Sequence, residues 1–260
     1  NCTDIAILTM FTDLKTISIY SVYSLVSNGL KQLINASITG ISATIGQAYA
    51  KNDYNELNRK LDIYEYVVFL LVFFIFTVAA LLITPFVQIY TNGVNDTNYC
   101  QPYFGVLLLI SEALYLVKFP HMSLAYNANK FKEITVPSFI EAGVNIVVSV
   151  TLVHKFGLVG VTIGTIAGMS YRTIFHVYFT SKIIPDRKQS IFYAKFFAFT
   201  AVAIAGFLIC YVFLPLEEIS LLYWIKYAVI YSLIIGCLYA TLSVIFFKKE
   251  LKFFVKYLTK

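Results

Sequence analysis

Charged side chains are scarce in this sequence. Asp, Glu, Lys and Arg make up 13% of its 260 residues, where a soluble domain carries about 25%. Hydrophobic residues reach 59% and mean hydropathy is +0.75, so a water-soluble fold of this length has too little polar surface to cover itself. Cysteine is also sparse. Cys2, Cys100, Cys210 and Cys237 form no CxxC pair and have no histidine at zinc spacing, which leaves no support for a metal centre or a redox motif. They read as small apolar residues. His121, His154 and His176 lie on separate segments, and no GxSxG, HExxH, Walker or dinucleotide pattern occurs; the reading is of a non-enzyme with no cofactor. The chain lacks an initial methionine, a basic n-region and an A-x-A cleavage site before its first apolar stretch, so that stretch is not a signal peptide. Its beginning reads as a cut inside a longer protein.

What is abundant is apolar sequence in runs long enough to cross a bilayer, about 20 residues each. Because lipid cannot satisfy backbone polar groups, such runs are expected to be helical. Polar punctuation places a partial span at Asn1–Phe11 and full spans near Ile17–Ser42, Ile63–Phe86, Tyr103–Met122, Ile134–Val153, Leu158–Ser181, Ile191–Leu214 and Tyr223–Phe247. The expected fold is therefore an all-α polytopic transmembrane bundle, one partial plus seven full spans. Residues 1–247 form the membrane lobe and residues 248–260 a basic tail.

Alternate loops differ sharply in charge. One set holds 13 Lys and Arg, the other only Lys15 and Lys155, and five more lie inside spans, giving the total of 20. The basic set is expected on the cytoplasmic side, which puts the C-terminus in the cytoplasm and the Gln88–Gln101 loop outside. The net charge of +6 is then a topology signal and not a nucleic-acid footprint. Two cytoplasmic stretches read as amphipathic: Ala48–Asp62, which is polar, and Lys248–Lys260. The second sets Leu251, Phe254, Val255 and Leu258 on one face, as expected of a helix lying on an anionic leaflet or of a solvated tail.

An ionisable residue within a span costs a few kcal/mol or more, so each is a functional candidate unless it snorkels. Lys195 and Lys226 sit near span ends and are expected to snorkel; Lys118 is balanced between snorkelling and an interior place. Lys31 lies near the middle of its span. Beside it Ser24, Asn28, Gln32, Asn35 and Thr39 recur at helical spacing. That seam is either interhelical glue or the lining of a water-filled, anion-receptive cavity. A second stripe, Ser138, Glu141, Asn145 and Ser149, carries a carboxylate that either pairs with Lys31 or Arg172 or couples transport to protons. Glu112 and Asp4 are weaker candidates of the same kind. Arg172 either contacts a phosphate through its planar fork or snorkels. Gly157, Gly160, Gly164 and Gly168 form a small-residue ridge, a signal of close helix packing.

Three stretches carry a family resemblance: Asp4-Ile5 through Ile19-Tyr20-Ser21-Val22 to Ile41–Gly46 and Ala50–Asp53; the Asn127-Ala128-Asn129-Lys130 turn; and Asn145-Ile146 through Phe156–Val161 to Gly164-Thr165. In order and spacing these resemble the polysaccharide-export branch of the multidrug/oligosaccharidyl-lipid/polysaccharide exporter superfamily, the O-antigen and capsule repeat-unit flippases. The resemblance covers most of Asp4–Arg172, and the last two spans match in hydropathy alone. It implies the second lobe of a two-lobed, alternating-access transporter of the bacterial cytoplasmic membrane, whose partner is an N-terminal lobe of the same protein. It also implies an undecaprenyl-diphosphate-linked oligosaccharide as substrate, with Lys31, Asn28, Gln32, Asn35, Arg172 and Asn145 as cavity candidates and Glu141, Glu112 and Asp4 as coupling or ion-pair candidates. A cation-coupled multidrug exporter and a peptidoglycan-precursor flippase are the near alternatives, a membrane acyltransferase or polymerase the distant one.

Overall fold

The computed structural model describes residues 2–258, and the side chains of 3–253. Nine helices account for almost all of the described chain: α1 Cys2–Phe11, α2 Leu14–Ala50, α3 Tyr54–Tyr90, α4 Pro102–Val117, α5 Phe119–Asn127, α6 Phe131–Ile183, α7 Gln189–Phe213, α8 Leu221–Phe246 and α9 Lys248–Leu258. The protein is an all-α bundle. Among the described residues five helices are long and apolar enough to cross a membrane, counting α4 with α5 as one; α2 is not among them, since its polar seam lowers its hydropathy. Outward faces carry exposed apolar side chains such as Leu33, Phe139, Val147, Ile204 and Leu222, which suits lipid and would be an aggregation hazard in water.

Short polar turns set the helix ends. Asp13 caps α2 by accepting from Thr16 N at 2.9 Å and Thr16 Oγ1 at 2.6 Å, and these hydrogen bonds hold its carboxyl below the usual carboxylate range. Asn52 turns with φ +55° and Asp53 caps α3 through Glu56 N. The stretch Ala48–Asp62 is therefore no separate surface helix. It is the end of α2, a tight turn and the first two turns of α3. Tyr103–Met122 is broken as well: α4 stops at Val117, and α5 restarts with Pro120 in its first turn, where a missing N–H costs nothing.

α6 folds back on itself. At Gly157 the backbone takes φ +52°, ψ −124°, a conformation closed to most side chains, and the two arms return as a hairpin. The glycine ridge is its seam. A Cβ at Gly160 would lie 2.6 Å from Leu152 O, at Gly164 2.8 Å from Asn145 O and at Gly168 3.0 Å from Glu141 O. The spans expected at Ile134–Val153 and Leu158–Ser181 are these two arms.

α3 is the hub, packed on α2, α4, α7 and α8, while α6 packs on α1, α4 and α5. α2 runs parallel to α4 and α5. Three contacts between residues 81 apart mark this register: Ser18 with Tyr99 Oη at 2.8 Å, Lys31 with Glu112 at 2.9 Å, and Ser42 with Ser123. α4 thus packs on α2 and on α6. Within α9, Leu251 packs on the core and Lys248, Lys249 and Lys252 are exposed. Phe254, Val255 and Leu258, the rest of its expected apolar face, have side chains outside those described.

Candidate functional site

The charged side chains described within the bundle gather into three groups. The first lies between α2, α4 and α6, at mid-length of α2. Lys31 Nζ donates to Glu112 Oε2 at 2.9 Å, with the lysine side chain 20% exposed and the carboxylate 4%. Glu141 stands between two other cations, 3.6 Å from Lys118 Nζ and 3.4 Å from Arg172 Nη1. Tyr115 is close to both lysines, its ring centroid 5.4 Å from Lys31 Nζ and 4.9 Å from Lys118 Nζ. Arg172 also donates to Ser138 Oγ and, through Nε at 2.9 Å, to His176 Nε2. Because guanidinium only donates, His176 is held as the neutral Nδ1–H tautomer.

Two alternatives left open by the sequence are thereby decided. Glu141 pairs with Arg172 and Lys118, not with Lys31, whose carboxylate is Glu112. Lys118 is 3% exposed and does not snorkel; it is buried against Glu141 on α6. Three cations face two carboxylates, a formal excess of one positive charge in a place lipid alone could not stabilise. Of the amide seam, Asn28 and Asn35 are half-buried on the side of Lys31 while Gln32 is exposed; Asn35 Oδ1 is buried without a hydrogen-bond partner.

Of the second group the span-based reading singled out Lys195 alone. Glu65, wholly buried on α3, takes Arg187 Nη2 on Oε1 and Lys195 Nζ on Oε2, the latter at 3.0 Å. Lys195 also reaches Asp62 at 2.9 Å and Arg187 reaches Asp62 at 3.2 Å and Asn58. The expected snorkelling of Lys195 is thus wrong: at 4% exposure it turns into the bundle, because α3 presents two carboxylates one turn apart. Lys226, by contrast, is exposed on α8 beside Tyr223 and Tyr227. Two cations and two carboxylates make this group formally neutral and closed.

His121 joins the two groups. Its Nε2 lies 3.1 Å from Glu65, and its Nδ1 lies 3.0 Å from the Oγ1 of Thr180, which is one helical turn beyond His176. Hydroxyl, imidazole and carboxylate are ordered as in an acyl-transfer triad. Thr180 and His121 are each 1% exposed and Glu65 0%, so the three buried side chains tie α5 to α6 and α3.

The third group surrounds Asp4 on α1, 2% exposed. Its Oδ1 accepts from Thr165 at 2.9 Å and its Oδ2 from Tyr20 at 3.0 Å. Asn145 donates to Thr165 and accepts from Ser149, so it belongs here, inside the α6 hairpin, and not beside Lys31. Among the described residues no metal-binding group of three His, Cys, Asp or Glu side chains occurs. An apolar cavity of about 390 Å³ between α3, α4 and α7 contains no charged side chain.

Compared with protein families, with curated proteins and with solved structures, the chain finds no match in any of the three.

Proposed function

We propose that this chain is one lobe of a flippase that carries a diphosphate-linked oligosaccharide lipid across the bacterial cytoplasmic membrane by alternating access. The observation that carries the reading is the excess of cation at mid-bundle: Lys31, Lys118 and Arg172 against Glu112 and Glu141. A fixed positive site beside amides attracts a diphosphate and hydrogen-bonds its oxygens, whereas it repels a cationic drug. Arg172 supplies a planar fork and Lys31 a mobile point charge. Lys118 joins the cavity candidates named from the sequence, and Asn145 leaves them.

Coupling to an ion falls on Asp4. Glu112 and Glu141 each face Lys or Arg, while Asp4 accepts from the hydroxyls of Tyr20 and Thr165 among the described residues, and an intramembrane carboxylate in such a setting is a candidate for ion coupling. This is also what a cation-coupled multidrug exporter would need, so the substrate decides between the two. Full-length protein in proteoliposomes should move a fluorescent polyprenyl-diphosphate oligosaccharide and leave ethidium unmoved, and Asp4→Asn should remove any dependence on an ion gradient. Ethidium transport without oligosaccharide transport overturns the flippase reading.

The same proposal sets the orientation. Arg187 bonds to Asn58 and Asp62 near the start of α3, so the 184–188 loop lies at the end of the bundle that carries the Lys51–Asp53 turn, and the loop after Tyr90 lies at the other. A cysteine replacing Lys188 should be labelled by an impermeant maleimide only from the cytoplasm, one replacing Asn95 only from outside. Reversed labelling inverts the direction of transport.

A further inference from the structure

The apolar cavity between α3, α4 and α7 is shaped for one kind of occupant. α4 and α7 both pack on α3, and the cavity is the trough between them. Phe76 and Thr77 of α3, with Leu109 and Val117 of α4, form its buried floor, while Ile110, Ile204 and Leu208 are exposed along its rim. It follows the helix axes from Phe196 to Leu208 on α7, about 18 Å at 1.5 Å per residue. Over that length its volume of about 390 Å³ gives a mean cross-section of about 22 Å², where a helix with its side chains needs roughly 80–110 Å². A helix does not fit such a channel; one extended hydrocarbon chain does.

The chemistry of the lining agrees. Among the described residues its only polar side chains are Thr77 and Thr200, and each donates its hydroxyl hydrogen to a carbonyl of its own helix, Phe73 O and Phe196 O. A polar ligand would forfeit its hydrogen bonds with water and find few in return. The trough is also cut off from the charged group beside it. At 100° per residue the six α4 residues that line it, Val106, Leu109, Ile110, Ala113, Leu114 and Val117, centre on a face nearly opposite Glu112, Tyr115 and Lys118. α4 therefore stands between the trough and the mid-bundle cations.

One end of the trough comes close to headgroup level. Val106 and Leu208 lie toward the end of the bundle that carries the 91–101 loop, and three residues beyond them Tyr103 and Tyr211 are exposed, as tyrosines are at a bilayer interface. Residues 98–106 and 208–216 include no Lys or Arg. A dianionic headgroup draws on no cation from these segments, whereas a zwitterionic headgroup needs none.

We infer that the trough holds one acyl chain of a zwitterionic phospholipid from the leaflet at that end of the bundle, a resident lipid that fills the seam between α4 and α7. The length agrees, since half of a hydrocarbon core is about 15 Å thick. Bulk lipid is as apolar as the trough, so the preference comes from close packing against fixed walls on three sides, which neighbouring lipid chains do not supply. The inference depends on these helices spanning a bilayer and not on what the protein transports.

Photolabelling tests it. Full-length protein in phosphatidylcholine nanodiscs receives a trace of phosphatidylcholine carrying a diazirine at mid-chain, is moved into detergent to strip loosely held lipid, and is then irradiated and mapped by peptide mass spectrometry. The trough segments around Ala113 and Ala203 should be labelled about tenfold more than those around Leu222 and Leu233, which are exposed on α8, a preference of about 1.4 kcal/mol. Ala113→Phe and Ala203→Phe each fill the trough, and in both its labelling should fall to the level of α8. Two variants on different helices are made because either alone could fail to fold, and the unaltered protein is a test without them. Labelling of its trough no higher than that of α8 overturns the inference, since bulk lipid is then all that covers it. Enrichment that persists in both folded variants overturns it as well. So does a trough labelled by a diazirine-bearing polyprenyl diphosphate and not by phosphatidylcholine, which would make it a site for the tail of the transported lipid.

Discussion

Replacing Glu65 with glutamine should remove most of the folded protein from the membrane, the largest stability effect expected of any single substitution here. Glu65 is wholly buried and is the point at which Arg187, from the loop after α6, and Lys195, from α7, meet on α3. Glutamine keeps the shape and removes the charge. That leaves Asp62 alone against two cations, both under 10% exposed, and breaking a buried pair in this way costs about 3–5 kcal/mol. The loss should show as low abundance in membranes and as a fall in melting temperature of the detergent-purified protein. Its structural consequence should be specific: α7 and the 184–188 loop come loose from α3, while the α1–α6 contacts remain. Lys195→Met should be milder than Lys195→Ala, because the methionine fills the same volume and the remaining pair, Arg187 with Glu65, still closes. An abundant Glu65→Gln protein with unchanged melting temperature would show that the second group is not a structural clamp.

This clamp also marks where sequence reading stops. Lys31, Glu112, Glu141 and Arg172 stand out in the sequence because each interrupts an apolar run, and the cost of a charge in lipid flags it without knowledge of its neighbours. The glycine ridge is equally legible: spacing of three and four predicts a close seam, and the α6 hairpin has one at Gly160, Gly164 and Gly168. Glu65, Asp62 and Lys195 sit instead where polar turn gives way to apolar span. There a charge has a cheap local explanation, escape to the interface, and only the tertiary approach of α7 to α3 removes it. Pairings are hidden for the same reason. Whether Glu141 meets Lys31 or Arg172 depends on the register that sets α2 beside α4 at a separation of 81 residues and on the fold-back at Gly157, and neither is a property of any single window of sequence. The break before Pro120 is the one local signal passed over: a proline lacks the N–H that would continue the helix ladder, and it disfavours helical backbone in the residue before it.

The largest functional effect should come from Lys31→Glu. The substitution turns a formal excess of one positive charge at mid-bundle into an excess of one negative charge and sets the new carboxylate face to face with that of Glu112. A diphosphate should then be repelled, and translocation of lipid-linked oligosaccharide should fall by two orders of magnitude or more, about 3 kcal/mol in barrier terms. Lys31→Ala should be intermediate and Lys31→Arg nearly normal, since guanidinium keeps both the charge and the hydrogen bond to Glu112. Abundance must be measured beside transport, because Lys31→Ala removes the ion pair to Glu112, which is 3% exposed, and so costs stability as well as substrate contact. The pair Lys31→Gln with Glu112→Gln separates the two effects. It restores neutrality at that rung of the α2–α4 contact and leaves Lys118, Arg172 and Glu141 with the same formal excess of one positive charge as before. If Lys31 acts only to satisfy Glu112, the double variant regains both abundance and transport. If Lys31 is the cation that a substrate phosphate meets, abundance returns and transport does not, and this second outcome is the one expected.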